Sequence, residues 1–280
     1  MVKIKIVTDS TVDLSQAEID TYGIHVVPLS ISINDEHYLD RVDITPSEFM
    51  QKMRASEELP KSSQPPAGEF LRVYDYYAAE GYDILSIHMT GGMSGTVNSA
   101  ESAAGMTKAN VKVMDSRFIS RALSYQVLEA AKMALLGKTM DEIISKVEEI
   151  KSQTQLYVVV NTLENLVKGG RIGKGRAMIG SLLNIKPIAS LEGGVYTPVS
   201  KARSHNQVVK FLANKFVEDT EGKEIKAVSI AHADGYELAL KLKEKLIELT
   251  QYKNIEIGET TPIVSTHTGP GAIGFMYYFG

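Results

Sequence analysis

Short runs rich in β-branched residues alternate with longer amphipathic segments along the chain, and this alternation limits its fold more than any other feature. Strands are predicted at 2–7, 83–88 and 111–114, and helical patterns follow them, such as the one from about Ser120 to Leu136. Strands that alternate with helices build a largely parallel sheet covered on both faces. The first half of the chain is therefore predicted to be an α/β unit.

Turn and capping signals define other elements of this half. Residues 25–33 are predicted to be one strand, and the capping box at 45–48 starts a helix that ends near Ala55. The segment Lys61–Pro66 is predicted to be a polar loop, with Pro66 opening the next helix.

The second half has a different pattern. Residues 187–191 and 195–199 flank Glu-Gly-Gly, which predicts an antiparallel hairpin. Residues 255–264 are predicted to form a last long strand. Residues 236–249 are predicted to form a helix whose leucines share one buried stripe, namely Leu238, Leu242, Leu246 and Leu249. These elements predict a mixed sheet with helices.

The length of 280 residues corresponds to two domains of about 150 residues each, or to one domain in two lobes. Because the pattern changes near residue 155, we predict an N-terminal α/β lobe over 1–155 and a C-terminal α/β lobe over 156–280. In this two-lobed fold, the first lobe has a mostly parallel sheet flanked by helices.

Charge and composition argue against several classes of function. The 34 acidic and 30 basic residues give a net charge of -4, which is unusual for a protein that binds nucleic acid. No segment approaches the ~20 apolar residues of a membrane span. The absence of Cys removes thiolate nucleophiles and Cys-ligated metals, and the 6 His form no metal-binding motif. We expect a soluble, cytoplasmic protein without a metal.

Three segments could bind a ligand. The glycine-rich turn at 89–96 leaves the carboxyl end of a predicted strand and enters a helix near Ser94, an arrangement that favours an anion. His267 precedes Thr-Gly-Pro-Gly, a rigid backbone that would hold its ring in place. Ser62 and Ser63 are adjacent hydroxyls just before two prolines. Ordinary helix caps and a structural His are the alternative interpretations.

A serine hydrolase needs a Ser, a His base and an acid that orients the His. The sequence at 92–96 begins like the Gly-x-Ser-x-Gly elbow, but Thr96 stands in place of the second Gly. The sequence around His267 also lacks a nearby Asp or Glu. An esterase or thioesterase built on Ser94 and His267 is therefore the weaker alternative.

Six short motifs occur in order along the chain. They are Thr8-Asp9-Ser10, Ser62-Ser63-Gln64-Pro65, Met93-Ser94-Gly95-Thr96, Asp115-Ser116, Gly169-Gly170-Arg171-Ile172 and His267-Thr268-Gly269-Pro270-Gly271. The series resembles the DegV family of bacterial lipid-binding proteins over about 3–280, as one domain of that type. Each motif is unspecific alone, and their order gives the resemblance its weight.

The resemblance implies that the protein buries one long-chain fatty acid, such as palmitate or oleate, in a tunnel, and that it has no cofactor and no catalytic activity of its own. By position, Ser62, Ser94 and His267 would hold the carboxylate, with Ser63 and the amides near Gly95 beside them. Hydrogen bonds from hydroxyls and a His can offset the cost of burying a carboxylate. Among these three segments, Lys61 is the only Lys or Arg.

The resemblance also implies a partner. In such proteins a separate ATP-binding kinase subunit phosphorylates the bound acid to an acyl-phosphate for phospholipid synthesis, so membrane contact would be transient. Arg171 and Arg203 match the surface arginines that dock this subunit, and substituting either is expected to lower turnover but spare lipid binding. A solvated basic loop around Arg171 is the alternative interpretation, as is an orphan lipid sensor or storage protein without a kinase.

Overall fold

Thirteen strands and ten α-helices make up the parts of the chain that the computed structural model describes, residues 3–178 and 185–280. The strands are β1 (Lys3–Asp9), β2 (His25–Val27), β3 (Ser30–Ile33), β4 (Glu36–Leu39), β5 (Lys61–Ser63), β6 (Tyr82–His88), β7 (Val111–Asp115), β8 (Thr154–Val159), β9 (Lys186–Ser190), β10 (Thr197–Ala202), β11 (Ile225–Ala233), β12 (Ile255–Glu259) and β13 (Ala272–Phe279). The helices are α1 (Gln16–Tyr22), α2 (Pro46–Ala55), α3 (Ala67–Ala79), α4 (Thr96–Met106), α5 (Ser120–Leu135), α6 (Met140–Gln153), α7 (Glu164–Lys168), α8 (His205–Thr220), α9 (Tyr236–Thr250) and α10 (Pro262–Thr268).

The first sheet is parallel throughout, with the strand order β2-β1-β6-β7. Val7 and Ile84 face α3 and α4, whereas their neighbours Ile6 and Leu85 pack in the core that contains α5. Since successive side chains of a strand point to opposite faces, helices cover both faces of this sheet. The predicted α/β class and the predicted parallel sheet are confirmed.

The second sheet is mixed, with the order β10-β9-β8-β13-β11-β12, in which β11 and β12 are parallel neighbours and the other pairs are antiparallel. This confirms the mixed sheet and the 187–199 hairpin. Helices α8 and α9 pack on one face through Phe216 and Leu242. On the other face, α5 lies between the two sheets, and the Tyr125 hydroxyl donates to Ser229 Oγ at 2.9 Å. One apolar core therefore joins both sheets through α5. The lobe boundary near residue 155 stays a prediction.

A small antiparallel sheet, β4-β3-β5, corrects two predictions for the first half. Residues 25–33 do not form one strand, because β2 joins the first sheet and β3 joins the small one. Pro28 stands between them and has no N–H group to continue a ladder. Residues 61–63, predicted to be loop, form β5, in which Ser62 pairs with Ile31. Pro66 is the N-cap of α3.

Two further predictions were wrong near the C-terminus. Residues 255–264 do not form one strand, because β12 ends at Glu259 and Thr261 then caps α10 by accepting a hydrogen bond from the Val264 amide. The last strand is β13, so His267 lies in a helix that precedes a strand. Leu249 is 44% exposed, whereas the other three leucines of the predicted stripe are buried. No helix within the described ranges is long and apolar enough to cross a bilayer.

Candidate ligand-binding site

Ser62, Ser94 and His267 line one cavity, although they come from three separate parts of the fold. Ser62 lies on β5, Ser94 in the turn that follows β6, and His267 in the last turn of α10. The cavity holds about 610 Å³ of empty space, counted with its opening to solvent. The structure therefore brings together the three residues that the sequence singled out.

The polar end of the cavity is built around a contact between Ser62 and His267. Ser62 Oγ and His267 Nε2 are 2.7 Å apart, a hydrogen bond whose direction depends on the tautomer of the ring. Burial, together with the positive charge of Arg171, lowers the pKa of His267 to about 4. The ring is therefore neutral at neutral pH while no anion lies beside it.

Helix α10 supplies both polar and apolar residues to this cavity. Ile263 and Val264 line it together with His267 and Thr268, which lie one helical turn further along. Residues four apart share a face of an α-helix, so this face of α10 is apolar at Ile263 and Val264 and polar at His267 and Thr268. The helix ends at Gly269, whose φ of 74° favours glycine.

Gly169 lets the His267 ring lie close to the main chain. A Cβ at this position would be 2.3 Å from His267 Nδ1 and 2.9 Å from the carbonyl oxygen of Asn165. We expect Gly169→Ala to displace the imidazole from Ser62 and to weaken binding of the anion at this end. Gly68→Ala is the matched control, because a Cβ at Gly68 meets no atom within 4 Å. A ligand affinity equal to wild type in Gly169→Ala would show that the ring position is unimportant.

The turn after β6 is held by contacts from both halves of the chain. The Gln64 side chain donates to the Gly95 carbonyl oxygen at 3.1 Å, and Thr90 Oγ1 donates to the carbonyl oxygen of Gly194 at 2.8 Å. Ser94 Oγ accepts from the Thr96 amide at 3.3 Å. Gly95 is the N-cap of α4, and this turn presents Ser94 to the cavity.

Ser63 has a different position from its neighbour. It is exposed and is not part of the cavity wall, whereas Ser62 and Gln64 both line it. Alternation along β5 explains the difference, because residues two apart share a face of a strand. No role was predicted for Gln64, and its segment was predicted to be a loop.

Arg171 lies beside the polar end of the cavity, so Lys61 is not the only Lys or Arg near it. The guanidinium donates from Nε to the Met93 carbonyl oxygen at 3.0 Å and from Nη1 to that of Gly169 at 2.5 Å. It thereby connects the second half of the chain to the turn that carries Ser94. Arg203, by contrast, is exposed at the start of α8, away from the cavity wall.

Most of the rest of the cavity wall is apolar and comes from both halves of the chain. Its side chains are Leu29, Met89, Met93, Ile119, Val158, Leu166, Leu191, Tyr196, Ile263 and Val264. Beside the polar end lies a surface depression bordered by Ser62, Arg171 and His267. Its charged residues also include Lys61, Lys168, Glu57 and Glu58. The site therefore has an apolar interior and a polar end that reaches a charged depression of the surface.

The arrangement lacks the third member of a hydrolase triad. His267 Nδ1 is buried and has no hydrogen-bond partner among the described residues. A triad needs a carboxylate at this nitrogen to orient the ring and to stabilise its charge. The geometry therefore disfavours the esterase alternative.

A separate Asp–His–Ser chain lies fully buried in the parallel sheet, on β1 and β6. Asp9 Oδ2 contacts His88 Nδ1 at 3.1 Å, and His88 Nε2 contacts Ser86 Oγ at 2.7 Å. All three side chains are inaccessible to solvent, which rules out attack on a substrate from this position. Asp9 Oδ2 also accepts from the Met89 amide at 2.8 Å, so this chain fixes the start of the turn that carries Ser94.

Comparisons with known proteins agree with this architecture. The model of a family described as "Uncharacterised protein, DegV family" matches residues 3–280. A DegV domain-containing protein of Listeria monocytogenes is 44% identical over 279 residues, which cover 99% of each chain.

Solved structures give the same result. A fatty-acid-binding DegV family protein from Thermus thermophilus has a TM-score of 0.92 and 32% identity, over 99% of this chain and 100% of its own. DegV from Bacillus subtilis, described as a fatty acid binding protein, has a TM-score of 0.89 and 31% identity, with both chains covered completely. This chain belongs to the DegV family.

Proposed function

We propose that this protein binds one long-chain fatty acid, with the carboxylate at Ser62, Ser94 and His267 and the acyl chain in the apolar cavity. The observation that carries the proposal is the hydrogen-bonded pair of Ser62 and His267 at the polar end of a largely apolar cavity. Similarity to fatty-acid-binding DegV proteins from Thermus thermophilus and Bacillus subtilis supports the same ligand class.

The donors at the polar end suit a single negative charge. Two hydroxyls and an imidazole can each donate to a carboxylate oxygen, and such charge-assisted hydrogen bonds are stronger than neutral ones. Arg171 lies close enough to lower the pKa of His267, so its positive charge also favours an anion. Its guanidinium is already engaged with the carbonyl oxygens of Met93 and Gly169, which favours a supporting role over a bidentate clamp.

The apolar wall supplies the larger part of the affinity. Each methylene that moves from water into the cavity contributes about 0.8 kcal/mol, so a chain of many carbons outweighs the carboxylate contacts. The carboxylate then gives orientation, because Ser62, Ser94 and His267 offer it hydrogen-bond donors at the polar end of the cavity.

Ser62 and Ser63 offer a direct test of the carboxylate site. We expect Ser62→Ala to weaken oleate binding by roughly tenfold, because a hydrogen bond to a charged group contributes about 1.5–3 kcal/mol and the mutant retains Ser94 and His267. Ser63→Ala is the matched control and should bind like wild type, because Ser63 faces away from the cavity. Calorimetric titration of the delipidated proteins measures both affinities. Equal losses in the two variants would contradict the proposed geometry.

We also propose that a kinase subunit acts on the bound acid, as the family resemblance implies. The surface depression that borders Ser62 and His267 would let a partner reach the carboxylate while the acyl chain stays buried. Three basic residues in this depression, Lys61, Lys168 and Arg171, outnumber the two acidic ones, Glu57 and Glu58, and this small positive excess suits a partner that carries ATP.

The two arginines should separate docking from lipid binding. Arg203→Ala is expected to lower turnover with an ATP-dependent fatty acid kinase subunit while oleate affinity stays unchanged, because Arg203 is exposed and away from the cavity. Arg171→Ala is expected to lower both the kinase turnover and the oleate affinity, because Arg171 supports the turn that carries Ser94. Acyl-phosphate formation and oleate titration are the two measurements. Turnover equal to wild type in Arg203→Ala would show that Arg203 is not part of the docking surface.

A protein that binds oleate but supports no kinase would instead be a carrier or sensor.

A further inference from the structure

Helix α10 supplies residues to both the polar end and the apolar wall of the cavity, yet it has only seven residues. Helices this short are marginal without tertiary contacts, so contacts with the rest of the fold determine where α10 lies. Its last turn brings His267 to Ser62, whereas the residues at its start contact the first half of the chain. The position of the ring therefore depends on what holds the start of α10.

The Asp13 carboxylate holds the start of α10. Its Oδ1 accepts a hydrogen bond at 3.0 Å from the amide of Thr261, the N-cap residue, and its Oδ2 accepts one at 3.0 Å from Thr260 Oγ1. Ser120, the first residue of α5, also donates to Asp13 through its hydroxyl. A carboxylate at a helix N-terminus is favourable, because it meets the partial positive charge of the helix dipole.

A second carboxylate faces the same turn of α10. Asp40 is buried, its Oδ2 accepts from Ser10 Oγ at 2.6 Å, and the amide of Ile263 favours its charged form. Burial raises the pKa of Asp40 to about 7, and the negative charge of Asp13 adds to this rise. Burial also raises the pKa of Asp13. Replacing buried charges by apolar residues is often neutral or stabilising, so stability alone does not explain this pair.

The backbone around the two carboxylates is in a costly conformation. Asp13, Arg41 and Ser120 have φ of 38°, 60° and 58°, in the left-handed region that favours glycine. Such conformations persist only where surrounding contacts hold them, and they cluster at functional sites. Arg41 Nη2 donates to the carbonyl oxygen of Leu14 at 2.5 Å, and its charge opposes the rise in the pKa of both carboxylates. The cluster lies at the end of α10 opposite His267.

We propose that Asp13 is a positioning residue for the carboxylate site: it fixes the start of α10, and through this helix it places the His267 ring beside Ser62. The proposal rests on the proposed function, because it concerns the same site. His267 lies six residues beyond Thr261, about 9 Å at the rise of an α-helix, so a short rigid helix transmits a shift of its start to the ring. Asp13 is not part of the cavity wall, so it acts without touching the ligand.

The test compares Asp13→Gly with Asp13→Asn, since glycine and asparagine both accept the left-handed backbone of this position. Glycine removes the carboxylate, whereas asparagine keeps Oδ1 as an acceptor for the Thr261 amide. Asp219→Ala is the matched control. Asp219 also accepts a hydrogen bond from a buried residue, the Tyr277 hydroxyl at 2.8 Å, but it lies outside the cavity wall.

Two quantities are measured for each protein: the oleate affinity and, without ligand, the pKa of His267 by NMR, with the ring signals identified by their absence in His267→Phe. We expect Asp13→Gly to weaken oleate binding by roughly tenfold, because a displaced ring loses its contact with the carboxylate. The His267 pKa should rise from about 4 toward its ordinary value of 6.5, because a displaced ring is less buried. Asp13→Asn and Asp219→Ala should stay close to wild type in both quantities.

The outcomes separate this inference from the proposed function. If wild type does not bind oleate, the fatty-acid proposal fails, and the His267 pKa still tests the positioning role. Asp13→Gly with a His267 pKa of about 4, or with a loss of affinity no greater than that of Asp219→Ala, would overturn this role. If Asp13→Gly does not fold, the nearly isosteric Thr260→Val decides, because it removes one donor to Asp13. A His267 pKa above that of wild type would then support the role, and an unchanged pKa would overturn it.

Discussion

Replacing His267 by Phe is expected to weaken oleate binding by roughly ten- to a hundredfold at pH 7, since a hydrogen bond to a charged group contributes about 1.5–3 kcal/mol. The variant removes the donor at the polar end and also leaves Ser62 without its 2.7 Å partner. Phe keeps an aromatic ring against Gly169, so the loss of oleate affinity measures what the two ring nitrogen atoms of His267 contribute. Titration with monomeric oleate measures the effect.

The pH dependence of the same variant gives a second readout. The pKa of His267 is about 4 without an anion, and a carboxylate placed beside the ring raises it. The complex therefore binds more protons than the free protein between this raised pKa and pH 4, so affinity rises as the pH falls through the raised pKa toward 4. His267→Phe should lose this dependence.

His25 provides the matched control for His267. Burial, with the charges of Lys5 and Arg72, also lowers the pKa of His25 to about 4, and its Nδ1 contacts the Tyr77 hydroxyl at 3.1 Å. It lies outside the cavity wall. His25→Phe should bind oleate like wild type, with an unchanged pH dependence. An equal loss in the two variants would mean that the effect of His267→Phe reflects general destabilisation.

Val264→Phe is expected to limit the length of the acyl chain that the protein accepts. Val264 is part of the apolar wall of the cavity, so a larger side chain there reduces the space left for the acyl chain. Excluding four methylenes would cost about 3 kcal/mol, or roughly a hundredfold in stearate affinity. Laurate, which is shorter, should bind almost as in wild type. Titration of wild type and Val264→Phe with both acids gives the ratio of the stearate affinity to the laurate affinity in each protein.

The control for this substitution is Val217→Phe. Val217 lies on α8 and is 41% exposed, so the added ring should not affect either acid. A parallel loss of laurate and stearate in Val264→Phe would place the acyl chain elsewhere, or would show that the substitution perturbs the carboxylate site on the same helix.

The sequence was sufficient to predict the fold class and the residues that meet at the site. Repeated strand–helix alternation indicated the parallel sheet. Hydroxyls, glycines and a His near predicted turns indicated three candidate segments, and the resemblance to the DegV family assigned Ser62, Ser94 and His267 to one site. It was less informative where two local signals compete. Ile263 and Val264 have β-branched side chains, which favoured a strand over 255–264. Thr261-Pro262, however, is the same helix-start signal, an N-cap Thr followed by Pro, as Thr45-Pro46.

Other features depend on contacts between distant parts of the chain. The small sheet forms because β5 pairs with β3. In this pairing Ser62 and Ser63 point to opposite faces of the sheet. Arg171, for which docking stays a prediction, also donates from its guanidinium to the Met93 carbonyl oxygen in the other half of the chain. Neither contact has a local signature, so sequence alone could not predict either one.

Native mass spectrometry of the purified protein, followed by solvent extraction and analysis of the released lipid, tests the central proposal most directly. The predicted result is one equivalent of a long-chain fatty acid per chain, lost or much reduced in a variant that combines Ser62→Ala with His267→Phe. A wild-type protein that carries no fatty acid and takes up neither oleate nor palmitate would contradict the proposal.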